Sequence, residues 1–226
     1  MIEKGNKLLS LIEEIENELE KFYQFPLSYS AKDFIVSKSE LKRICGDAIT
    51  NNSEWNSAGS VWYLPTQNNE EAFIALHVSD VVWDELNSLD PRKALTSNNL
   101  SSFCILAEEI SHFHLIINRG CQNRSVHKAE LEWQGEVDKF LLSAAFLQKQ
   151  CGDPHMAPLL QKLIFEAHIV SENIELYNYA TKMTRQLFQK FQRENPEFEK
   201  DIYTIAEFIR QFYLCSHGEK HALLAA

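Results

Sequence analysis

The chain has 226 residues, 45% hydrophobic and 24% charged, with a formal net charge of −10 and a pI near 5.3. That length can bury a sizeable core, and the composition argues against long disorder. An acidic balance without a basic run disfavours a nucleic-acid backbone or an anionic membrane surface as partner.

The five cysteines, Cys45, Cys104, Cys121, Cys151 and Cys215, are scattered and form no CxxC pair. This excludes a disulfide framework or cysteine zinc knot and favours a reducing compartment. The first residues lack the charged-then-apolar pattern of a signal peptide, and no uninterrupted apolar window reaches the ~18 residues of a membrane span. A cytoplasmic protein is the expectation.

Residues 2–24 carry Ile2, Leu8, Leu9, Ile12, Ile15, Leu19 and Phe22 at helical spacing, which predicts an amphipathic helix ended by the turn at Phe25-Pro26. Such a helix packs at a domain edge or offers a surface for a homodimer or protein partner. Phe34-Ile35-Val36 reads as short and extended, and Ser37 or Ser39 caps a short helix to Cys45. After a polar stretch from Gly46 to Gly59, Ser60–Leu64 and Ala72–Val78 read as two strands of a hairpin around a Thr66–Glu71 loop. A helix from Asp80 stops before Pro91.

The next stretch, residues 101–118, predicts a helix that is apolar on almost every side, capped at Ser97-Asn98-Asn99 and ended at Gly120. Another helix follows from Val126 to about Gln150, with Trp133, Val137, Phe140, Ala144 and Leu147 as its buried stripe. Cys151-Gly152-Asp153-Pro154 is a break. Helical pattern then runs from His155 to about Phe191, and a last helix covers Glu199 to Cys215. The tail from His217 has no clear assignment, and Lys220 and His221 read as a frayed end. The expected architecture is mainly α (α+β): a single domain over 1–226, divided into an N-terminal helix (1–26), a small α/β part (28–98) and a helical part (99–226).

The apolar central helix holds Glu108, Glu109, Ser111, His112 and His114 in its middle. Buried polar groups are costly without partners, so a metal ion or a hydrogen-bonded network is required there. Glu108 and His112 stand at i,i+4 and Glu109 and His112 at i,i+3, which puts each pair on one helical face. In the next helix Glu132 and Glu136 are also i,i+4. A short connection makes the two helices antiparallel neighbours. Glu108, His112, Glu132 and Glu136 are therefore candidate ligands for a divalent ion, with Glu109 free for acid–base work. A Glu-His-Glu set suits zinc, manganese or iron. The alternative is a buried Glu-His network in a non-catalytic interaction or scaffold protein. His114 lies on another face and reads as packing or surface. His168 and Glu172 repeat the i,i+4 spacing on a later helix.

The segment Leu106-Ala-Glu-Glu-Ile-Ser-His-Phe113 resembles the metal-binding helix of HExxH zincins of the ImmA/IrrE type, and Glu132-Trp-Gln-Gly-Glu-Val-Asp-Lys-Phe140 resembles their later helix. The resemblance implies a zincin-like core, a metallohydrolase activity, Glu109 as general base, His112 as second ligand and Glu136 or Glu132 as third. Glu108 occupies the place of the first histidine, giving EExxH. The same residues resemble a bacterial group of unassigned function that shares Glu108, Ser111, His112 and the Glu-Val-Asp-Lys run.

Overall fold

Helix α1 (Ile2–Tyr23) folds as its spacing predicts: Leu11, Ile12, Ile15, Leu19 and Phe22 turn inward and are buried, and Leu9 stays exposed. The structure is a computed structural model that describes residues 2–46, 53–65, 72–151, 174–195, 197 and 201–225. The Thr66–Glu71 loop, the break after Cys151, the stretch from His155 to 173 and the His168/Glu172 pair lie outside the described residues.

Beyond a single 3-10 turn (Ala31–Phe34), Ile35 forms a parallel bridge to Leu76, and Val36 N donates to the Leu76 carbonyl at 3.0 Å. Helix α2 (Lys38–Cys45) begins with a complete capping box: the Ser37 hydroxyl accepts from Glu40 N, and the Glu40 carboxylate accepts from Ser37 N. Ser37→Ala removes one of these bonds and is expected to lower stability by about 1 kcal/mol, read from the urea midpoint at constant m-value. Strands β1 (Gly59–Pro65) and β2 (Ala72–Val78) form the expected antiparallel hairpin, in register from Gly59↔Val78 to Pro65↔Ala72. Helix α3 (Asp80–Ser88) follows.

Helix α4 (Leu100–Cys121) and helix α5 (Lys128–Cys151) are the core pair, and the hairpin lies across α4. By length and composition α4 could cross a membrane, but 67% of its apolar window is buried inside the fold. It is a core helix. The α5 stripe Trp133, Val137, Phe140, Ala144 and Leu147 is buried throughout. Helix α6 (Ile174–Glu194) packs on α5, helix α7 (Ala206–Leu214) on α1, and helix α8 (His217–Ala225) on α6. The chain is thus mainly helical with a small hairpin ahead of the central helices.

Arg119 fastens the far end of the pair. It is fully buried, and its Nη2 donates to Glu130 (2.8 Å) and to the carbonyls of Tyr213 (2.6 Å) and Cys215 (2.7 Å). A planar cation with five donors can join an acid and two orphan carbonyls at once.

Three local expectations are corrected. Gly120 does not end α4 in the left-handed region; it is helical, and Asn123 at φ 52° carries the turn. The last helix is expected from Glu199, which lies outside the described residues; from Asp201, its cap, the chain runs first through a 3-10 turn (Ile202–Ile205), with α7 following. The segment from His217 is not frayed, since α8 buries Lys220 completely.

Candidate metal centre

The α4–α5 pair is antiparallel: Arg119 meets Glu130, His112 meets Gly135, Glu108 meets Lys139, and Cys104 Sγ lies 3.9 Å from Ser143 Oγ. This alignment puts Glu108 and His112 opposite Glu132, Gly135, Glu136 and Lys139. Gly135 is what lets the helices close there. A Cβ at this position would lie 2.9 Å from His112 Nε2 and 3.2 Å from Glu108 Cγ. Gly59 does the same for the hairpin, where a Cβ would come within 2.6 Å of Glu109 Cγ.

One ligand atom each from Glu108, His112 and Glu132 lies within 4.8 Å of the other two. His112 Nε2 is 4.0 Å from Glu132 Oε2. Ligands bound at about 2.1 Å to a tetrahedral ion stand roughly 3.4 Å apart, so about half an ångström of closure completes that pair. Glu108 Oε1, His112 Nε2 and Glu132 Oε2 are all buried without a hydrogen-bond partner among the described residues. Three unpartnered ligand atoms this close together ask for a cation or for protons.

Glu136 takes a different role. Its Oε1 accepts from Lys139 Nζ at 2.6 Å, and it stands outside the converging set. Lys139 also donates to Glu108 Oε2 at 3.0 Å, so Glu108 has one oxygen on an ammonium and the other facing His112 and Glu132. Burial alone would lower the Lys139 pKa, but the charges of Glu108 and Glu136 outweigh it and hold the ammonium well above its usual range. The Glu132 carboxyl is raised by burial, with Glu108 adding to the effect and His112 opposing it.

Glu109 contacts the other side of the imidazole: its Oε2 is 3.9 Å from His112 Nδ1, whereas Glu132 is the neighbour of Nε2. That separation is beyond hydrogen-bond range; a carboxylate that closes on Nδ1 would select the tautomer that leaves Nε2 free to bind a metal.

Sequence reasoning passed over three members of this site. Lys139 was within reach, since it is i+3 from Glu136 and i+7 from Glu132 on one helical face. Gly135 had no readable signal, because its value is the room it leaves for another helix. Tyr177 comes from α6: burial raises its phenol, and the charges of Glu108, Glu132 and Glu109 raise it further.

The other polar groups of α4 are accounted for. His114 is buried with its Nε2 2.9 Å from Glu16, and Ser111 donates to Asp138 at 2.6 Å. Cys45, Cys104, Cys121 and Cys215 are free.

Gly135→Ala tests the fit. The added methyl would press on His112 Nε2, a ring atom that cannot swing away cheaply, and is expected to weaken divalent-ion affinity about tenfold, read by competition against a chromogenic chelator.

No protein-family model matches the chain, no curated protein matches it in sequence, and no solved structure matches it in fold.

Proposed function

We propose that this is a cytoplasmic metal-binding protein in which Glu108, His112 and Glu132 hold one divalent ion, zinc, manganese or iron, in a hydrolase-type site. The observation that carries the reading is the convergence of three buried, unpartnered ligand atoms from these residues. Charge supports it: Glu108, Glu132 and Glu136 face one ammonium, Lys139, and one imidazole, His112, and buried unbalanced charge is costly. The ligand order keeps the zincin plan of two ligands from the central helix and one from the following helix, with Glu108 for the first histidine and Glu132 as third. Lys139 orients Glu108, and Glu109 orients His112, as outer groups do in metal sites generally. A three-ligand ion keeps a position for water, and when bound it would supply an activated water for hydrolysis.

A second reading is favoured by one observation, the Lys139 ammonium bridging Glu108 and Glu136. It makes the cluster a buried polar network that fixes the α4–α5 register in a non-catalytic interaction or scaffold protein. Metal analysis separates the two. Protein purified without chelator and dialysed against Zn²⁺, Mn²⁺ or Fe²⁺ under anaerobic conditions should hold about one equivalent of one ion that His112→Ala releases, whatever it holds elsewhere. Retention of no such ion would sink the metal reading and leave the network.

A further inference from the structure

The chain contains one His-x-x-x-His spacing, His217-Gly218-Glu219-Lys220-His221. Within α8 these histidines are one turn apart and share a face. Both rings aim at a single atom on another helix: Tyr179 Oη of α6 is 2.6 Å from His221 Nε2 and 3.3 Å from His217 Nε2. The surroundings fix this arrangement. The Trp133 ring lies edge-on to His217 (6.1 Å) and tilted to His221 (5.1 Å), and His127 stacks on His217 at 5.5 Å. His217, His221 and Tyr179 are all partly exposed, so an ion can reach them from solvent.

We propose that His217, His221 and Tyr179 form a second metal site, separate from the α4–α5 centre, for a borderline transition-metal ion of the zinc, nickel or copper class. Two imidazole nitrogens one helical turn apart are the chelate that binds zinc in helical metalloprotease motifs. Imidazole is the ligand these three metals favour, and the phenol oxygen supplies a third donor. The hydroxyl has one proton to donate and two imidazole nitrogens in range, so hydrogen bonding satisfies the trio only when one imidazole donates back. An ion engages both Nε2 lone pairs together. The site shares no residue with Glu108, His112 and Glu132, and it stands whether or not those bind metal.

The test uses the full chain, stripped with chelator and then dialysed against Zn²⁺, with Ni²⁺ as a second probe. In a His112→Ala background, which silences the first centre, one equivalent of Zn²⁺ is expected to remain bound. His217→Gln and His221→Gln should each weaken it at least tenfold, and Tyr179→Phe by less. The same substitutions in the chain with His112 intact should remove one equivalent and leave any other, which keeps the test valid if the His112→Ala background folds poorly. Circular dichroism confirms that each variant keeps its helix content. Zn²⁺ and Ni²⁺ binding unchanged in both His217→Gln and His221→Gln would overturn the proposal and leave a hydrogen-bonded triad only.

Discussion

His112→Ala and Glu132→Gln are each expected to lower divalent-ion affinity at the α4–α5 centre by more than about a hundredfold, because each deletes a ligand rather than a supporting group. Their effects on the metal-free fold should differ, and that difference is informative. His112 is nine-tenths buried and lies between Glu109 and Glu132. Its loss leaves a gap among carboxylates, and about 2 kcal/mol of destabilisation is expected. Glu132 is the opposite case. Burial raises its carboxyl above the ordinary 4.5, so the ionised form destabilises the fold at neutral pH. The sign follows: a raised carboxyl contributes stability that is present below pH 4.5 and is lost as pH rises through the folded value. Glu132→Gln removes that penalty. The metal-free variant should melt no lower than the parent at pH 7 while failing to take up metal. A residue that costs stability in the empty protein, yet is needed for binding, is the mark of a functional site. A Glu132→Gln chain that melts well below the metal-free parent would instead make Glu132 part of a structural network.

The sequence carried the outline of this site further than its details. The i,i+4 spacing put Glu108 and His112 on one face, and the short connection made α4 and α5 antiparallel. Both followed from helix geometry alone. Choosing between Glu132 and Glu136 needed the register of α5, which Gly135 and the Arg119–Glu130 pair set through contacts between helices. Lys139 then takes Glu136 and leaves Glu132 to face His112. The hairpin and most helices were legible from periodicity and capping. Errors fell where tertiary contacts override local signals. Gly120 stays helical because the preceding Arg119 is anchored on Glu130, Tyr213 and Cys215. Helix α8, with polar residues over most of its first turns, gives no amphipathic stripe to read. It is held by Lys220, which is fully buried, and by the Tyr179 contacts of its histidines.

Lys220 also makes stability depend on pH in an unusual direction. Its Nζ lies over the Phe212 ring at 4.6 Å and donates to Gln134 Oε1 at 2.7 Å. Gln134 in turn donates to Asp138 Oδ1 at 3.0 Å, and Asp138 Oδ2 accepts from Tyr23 and Ser111 at 2.6 Å each. Among the described residues no carboxylate bonds the ammonium directly. Burial therefore drives Lys220 down to about 7 from an ordinary 10.5, against the opposing charges of Glu130 and Asp138. The unfolded chain binds this proton more tightly than the folded one between those two values, so stability rises with pH across that range. Asp138, which burial raises to about 6, has finished titrating by the start of the window. Above pH 9 the Cys104 thiol, pushed up by desolvation to about 11 from 9.0, contributes a loss that opposes the gain. Unfolding free energy should accordingly increase by about 2–3 kcal/mol from pH 7 to pH 9, whereas most proteins are flat or declining there. Lys220→Met should abolish the slope. It should also be at least as stable as the parent at pH 7, since an apolar chain of similar length replaces a buried ammonium beside an aromatic ring. Urea titrations of both proteins at pH 7, 8 and 9 decide it. An equal slope in parent and variant would mean that Lys220 remains protonated in the fold, with Asp138 holding its charge through the Gln134 bridge.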